Sequence, residues 1–224
     1  MPISRYLKFQ QVLNQRQNDM TILTDKVHKS QNVSAIMRTA DSVGIPTVHM
    51  VKPERGRLVY HHTAGGASRF VDVIVYETLS EGIQSLRNAG MALYAAHWSD
   101  RAISYREADY TRPFALILGA EKYGISPEAA DAADEHLIIP MVGACESLNV
   151  SVASGIILQE AMHQRMAQQA YTQLPDQDST YHNTLFRWLH PKMAAFCDAR
   201  QLPYPQLDED GDMIPPQGPE YRQS

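Results

Sequence analysis

Between Leu137 and Gln159 the chain reads LIIPMVGACESLNVSVASGIILQ, a set of residue types suited to holding a small cofactor by its backbone. Leu137, Ile138 and Ile139 form an apolar strand stopped by Pro140. Gly143, Ser147 and Asn149 then supply turn geometry and an oxygen that can cap the next helix. Past that cap, Ser151, Ala153, Ser154 and Gly155 keep one stripe of the helix thin enough for close approach of another backbone. Taken alone, the segment also fits an ordinary strand-to-helix connection with a tightly packed helix. A second glycine-bearing loop, Gly119 to Gly124 in ILGAEKYGIS, follows an earlier apolar run. The loop after the first apolar run, HKSQNVSAIMRTA, has no glycine, so the common dinucleotide fingerprint is missing from its usual place. The chemistry therefore sits late in the chain.

The elements that must position these loops alternate. Apolar periodicity predicts strands near 21–27, 46–52, 71–77, 91–96, 114–119 and 136–140, and helices near 32–43, 80–89, 126–134 and 148–170. This is an α/β pattern with a mostly parallel sheet flanked by helices, where ligands sit beyond the carboxyl ends of the strands. Gly44 should end the first of these helices, and Ser126 should cap the one opened by Pro127 and Glu128. Residues 1–20 read as a basic amphipathic helical extension, 21–170 as the main domain, and 171–224 as a C-terminal extension. That extension holds an amphipathic segment around Leu185, Trp188, Leu189, Met193 and Phe196, and its proline-rich end excludes a long terminal helix.

A chain of 224 residues with 44% hydrophobic content can bury a sizeable core. Its two cysteines, Cys145 and Cys197, have no metal-ligand spacing, so a reducing compartment and no structural metal are expected. No apolar run reaches membrane-spanning length, which predicts a cytoplasmic protein. The net charge of −5 hides an asymmetry: residues 1–70 hold ten Lys or Arg against four Asp or Glu, and the remainder ten against twenty-one. The positive end could meet phosphate.

Three segments in order, NVSAIMRTADSVG (32–44), LILGAEKYGIS (116–126) and IIPMVGACESLNVSVASG (138–155), resemble the three motifs of the SpoU, or TrmH-type, RNA ribose methyltransferases. The likeness runs on through Arg165 and the PYP segment at 203–205, covering nearly the whole chain. It implies a SPOUT fold with a C-terminal trefoil knot, a connection that general chain-topology rules disfavour. It also implies a homodimer, and transfer of a methyl group from S-adenosylmethionine to an RNA ribose 2′-oxygen without a metal.

By resemblance, Arg38, Asn32, Glu121, Ser147 and Asn149 are the catalytic residues, and Ala96, Gly119, Ile139 and Leu148 line the cofactor site. Arg38 is either a general base or a clamp for phosphate and developing alkoxide; a guanidinium ordinarily stays protonated, which weighs against the first role. Without the resemblance, Arg38 reads as an ion-pair partner of Asp41, Asn32 as a helix cap and Glu121 as a helix-leading carboxylate. The basic N-terminal helix and the C-terminal extension resemble the subgroup that modifies guanosine 18 of tRNA, with Arg5, Arg16 and Arg165 at RNA-contact positions. A ribosomal-RNA enzyme of the same family, a noncatalytic RNA-binding relative and a nucleotide-dependent oxidoreductase are the alternatives. His61, His62, Gly65 and Gly66 read as polar surface, and Trp98 and Cys145 as packing residues.

Overall fold

In a computed structural model, which describes residues 4–52, 69–216, 218 and 221, the chain divides into two compact units. Residues 16–171 form one, and residues 1–15 with 172–224 form the other. His61, His62, Gly65 and Gly66 lie outside the described residues.

The larger unit is built on seven strands: β1 Met20–Asp25, β2 Thr47–Val51, β3 Asp72–Tyr76, β4 Ala92–Ala96, β5 Ile103–Ser104, β6 Phe114–Gly119 and β7 Glu135–Ile138. They lie in the order β3-β2-β1-β6-β4-β7-β5, and every pairing among them is parallel. The central strands β1 and β6 are buried along their whole length, which is why their sequences MTILTD and FALILG lack the alternation of a half-exposed strand. Side chains still divide by parity. Ile22, Leu116 and Leu118 enter one core, and Leu23, Ala115 and Ile117 enter the other.

Each core is closed by its own helices. Val33, Ile36, Met37 and Ala40 of α2 (Ser30–Ser42) share the first with Ile157, Leu158 and Ala161 of α5 (Val150–Ala167). Leu79 and Leu86 of α3 (Leu79–Asn88) share the second with Ala129 of α4 (Pro127–Ala132). The apolar spacing on α2 and α3 follows the helical repeat, so each turns one stripe to the sheet. Ser126 caps α4 as expected, its side chain accepting from the Ala129 N–H at 3.3 Å with Pro127 at the first helical turn. Gly44 takes a positive φ of 85° just past α2, a conformation that suits glycine at a helix end.

Six strands and four helices lie close to where the periodicity puts them, while β5 escapes it. Two residues carry no period; Ile103 and Ser104 join the sheet edge because β7 offers them a partner. The helix expected to reach residue 170 ends at Ala167, followed by a 3-10 turn at Ala170–Thr172.

The smaller unit packs α1 (Arg5–Asn14) with α6 (Ser179–Leu189), followed by α7 (Pro191–Arg200). The amphipathic segment foreseen around 185–196 is therefore two helices. Pro191 opens the second, where its missing N–H is harmless.

Candidate active site

The carboxyl ends of β6, β4 and β7, neighbours in the sheet, bring Gly119, Ala96 and Ile139 together at one edge. These residues are far apart in sequence and adjacent only because β6 inserts between β1 and β4 while β7 adds beyond β4. At Gly119 a Cβ atom would stand 2.0 Å from the Gly124 carbonyl carbon, so no other residue fits. The turn from Ala120 to Gly124 folds back over it, held by the Gly124 N–H on the Ala120 oxygen at 2.8 Å, with Gly124 at a φ of 67°.

The loop after β7 is exposed from Pro140 to Asn149. Among the described residues, no hydrogen bond engages its backbone from Pro140 to Leu148. Backbone N–H and C=O groups seek partners, so an open loop above three strand ends fits a nucleoside-like ligand held by main-chain contacts. Ala96, Gly119, Ile139 and Leu148 frame that opening, and none of them brings a charge.

One hydrogen-bonded chain ties together the three loop systems. Asn149 caps α5, its Oδ1 accepting from the Ser151 N–H at 2.9 Å, and its Nδ2 donates to Oδ1 of Asn32 at 3.1 Å. Asn32 Nδ2 donates in turn to Oε1 of Glu121 at 2.7 Å. The carboxylate only accepts, so it fixes which end of the Asn32 amide faces it and leaves the oxygen for Asn149. Glu121 Oε1 also accepts the Lys29 N–H at 3.2 Å, and His28 Nδ1 lies 3.2 Å from Oε2. Burial would raise the Glu121 pKa, but the bonds from its own backbone, Asn32 and Lys29, with His28 nearby, hold it below the ordinary carboxylate range.

Two of the simpler readings are corrected here. Asn32 is not a cap: α2 begins at Ser30, and Asn32 lies inside the first turn with its side chain turned to Glu121. Glu121 leads no helix of its own; it sits in the turn after β6 and serves the amino end of α2, whose first N–H groups need acceptors. His28 and Lys29 were missed because no spacing rule singles them out, although only Ser30 and Gln31 separate them from the first motif.

Arg38 is exposed on α2 and makes no hydrogen bond or ion pair among the described residues. Asp41, its expected partner, is taken by Arg16 at 2.6 Å. Ser147 is exposed in the open loop and joins no hydrogen bond among the described residues. The structure thus unites Asn32, Glu121 and Asn149, and leaves Arg38 and Ser147 outside that chain.

The three remaining arginines sit differently. Arg165 is buried, and all five of its donors are used: on Tyr110 O, Gln17 Oε1, both Asp19 oxygens and Arg112 O. Arg16 is buried on Asp41 and the carbonyls of Ile45 and Phe70. Arg5 donates to the Trp188 and Leu189 carbonyls at the end of α6. Trp98 and Cys145 do not pack as expected; both are exposed, because they follow strand ends that no further layer covers.

Residues 19–159 match the SpoU rRNA Methylase family, and residues 163–216 its C-terminal region. The chain belongs to the SpoU family. A SpoU relative from Escherichia coli (strain K12), a tRNA (guanosine(18)-2'-O)-methyltransferase, is 40% identical over 214 residues, covering 94% of this chain and 93% of the relative. The A. aeolicus TrmH/SpoU tRNA modifying enzyme superposes with a TM-score of 0.76 at 33% identity, over 82% of this chain and 94% of that one. An AdoMet-bound rRNA methyltransferase from Sinorhizobium meliloti superposes at 0.60 with 27% identity, over 69% and 59% of the two chains. The parallel sheet and its flanking helices are the fold shared with these SpoU structures.

Proposed function

We propose that this SpoU protein transfers a methyl group from S-adenosylmethionine to the ribose 2′-hydroxyl of guanosine 18 in tRNA. The observation that carries the reading is the Asn149–Asn32–Glu121 chain, which locks three motif segments into one constellation beside the open loop. Bound there, S-adenosylmethionine supplies an electrophilic methyl on a sulfonium sulfur. Ala96, Gly119, Ile139 and Leu148 hold it through backbone contacts, and Asn32 with Asn149 keeps the loop and α2 in register.

Arg38, a guanidinium with no hydrogen bond or ion pair among the described residues, grips phosphate and steadies the alkoxide that develops as the hydroxyl loses its proton. Glu121 and Ser147 act on that constellation, Glu121 by orienting Asn32 and Ser147 from the open loop. Catalysis then rests mainly on alignment of the two reacting atoms, which can lower a barrier by about 7–11 kcal/mol. Residues 21–170 act as the catalytic domain; 1–20 and 171–224 act as tRNA-contacting extensions. Arg5 is the N-terminal contact, while Arg16 and Arg165 support the RNA-facing surface from below.

The reading includes a cytoplasmic homodimer with a C-terminal trefoil knot. The exposed face of α5 supports the dimer: Val152 is half-exposed, and Gly155 opens onto a shallow depression with Tyr105 and Ile156. Incubation with labelled S-adenosylmethionine and unmodified tRNA, followed by mapping of the methylated nucleoside, tests the activity. Label at the 2′-oxygen of guanosine 18 is expected; label in ribosomal RNA alone overturns the substrate.

A further inference from the structure

The smaller unit contains a cavity of about 470 Å³ whose described lining residues all belong to that unit. Its floor is apolar, made by Leu185 and Phe186 of α6, both buried. Tyr204, from the PYP segment, lies flat on Phe186, with ring centroids 5.0 Å apart and planes 16° from parallel. Its hydroxyl donates to Asp198 at 2.6 Å, and burial together with that bond pushes its pKa up to about 12, so the ring is a fixed, neutral platform. Across the cavity, Tyr6 of α1 is held by the turn at Gly211, where a Cβ atom would stand 2.4 Å from the tyrosine ring.

The rim is of a different character. The side chains of Gln10, Asn183 and Gln206 and the imidazole nitrogens of His182 have no hydrogen bond among the described residues. Among the described residues, no Lys, Arg, Asp or Glu lines the cavity. A carboxamide presents an acceptor and donors in one plane, the pattern that pairs with the edge of a nucleobase. Fixed aromatic faces are what an unstacked base rests on. The volume falls within the range of small-ligand sites, about 300–1,000 Å³.

We infer that this cavity is a binding site for a single unstacked nucleobase, separate from the methyl-transfer site. Among the described lining residues a charged ligand finds no counter-charge, and a purely apolar ligand would leave the carboxamide rim unused. The base comes either from the tRNA substrate, in which case the inference rests on the function proposed above, or from a free nucleoside.

The test uses the full-length protein and a Gln10→Leu, Asn183→Leu double variant, which keeps side-chain bulk and removes rim hydrogen bonding. In one arm, tRNA carrying 4-thiouridine is photocrosslinked and the attached peptides are identified by mass spectrometry. In the other, guanosine, adenosine, cytidine and uridine are titrated by ligand-observed NMR. Crosslinks at the peptides bearing Tyr6 or Tyr204 are expected, with a rise in KM for tRNA of about tenfold in the variant. Its S-adenosylmethionine affinity and melting temperature should match the wild type.

Nucleoside binding that the variant loses, without a tRNA crosslink, assigns the site to free nucleosides. Neither crosslink nor nucleoside binding, in wild-type protein that methylates tRNA normally, overturns the inference. Absence of wild-type tRNA methylation would instead refute the preceding reading, and the nucleoside titration would still decide this one.

Discussion

Arg38 and Asn32 share a helix but are held in opposite ways, and their variants should fail differently. Arg38 makes no hydrogen bond or ion pair among the described residues, so Arg38→Ala should abolish methyl transfer while the thermal melt and S-adenosylmethionine binding stay at wild-type values. Near-normal turnover would remove Arg38 from the chemistry. Asn32 is buried and donates to a carboxylate, so Asn32→Asp places two carboxylates in contact. That variant should lose activity and melt earlier at neutral pH, with the deficit shrinking as acid protonates one of the pair. A melting deficit that does not vary with pH would mean that Asn32 and Glu121 are not in contact.

The wild-type sign at Glu121 follows from its depressed pKa. A group that is more acidic folded than unfolded adds stability above its unfolded pKa, and that stability drains away as pH falls through the folded value. Glu121→Gln should therefore lower stability by a constant amount at neutral and alkaline pH and flatten the fall on the acid side. Denaturant titrations across the acidic range would read this directly. His28, 3.2 Å from the same carboxylate, is the residue at this site that motif reading passed over.

Among the elements, α5 depends on two polar devices at its ends. Asn149 caps its start, and Asn149→Ala should cost about 1 kcal/mol in stability through the lost cap alone. The same change frees the Asn32 oxygen, so activity should fall further than stability explains. In the last turn, Arg165 is fully engaged, with its side chain 3% exposed. Arg165→Ala leaves buried acceptors without a donor and should cost about 3 kcal/mol, measured by urea unfolding. Any loss of tRNA affinity in that variant should be accompanied by this destabilisation; weaker binding with unchanged stability would mean that Arg165 meets RNA itself.

Of the whole molecule, the sheet order is the decisive property. β6 between β1 and β4, with β7 beyond β4, gathers the late loops at one edge and leaves Trp98 and the segment 140–149 open to solvent. If the chain forms the proposed dimer through the half-exposed face of α5, Val152→Arg should shift it from dimer to monomer in sedimentation velocity. A variant that sediments like the wild type would place the interface elsewhere. If tRNA is the partner, binding should weaken steeply with salt, because each phosphate contact releases counterions.

Much of this was legible in the residues themselves. Continuous apolar runs in β1 and β6, the helical stripe of α2, Ser126 ahead of Pro127 and Gly44 past α2 are local devices, and local physics reads them directly. The three motif segments are recognised through their resemblance to the SpoU motifs. Position in space could not be read so, because it depends on contacts between residues far apart in the chain. Only the tertiary structure decides that Asp41 pairs with Arg16 rather than Arg38, and that Arg165 spends all its donors inward. Only it shows that Asn32 gives its amide to Glu121 instead of capping its own helix. Sequence dictated which groups could pair, and the places of β6 and β7 in the strand order selected which of them met.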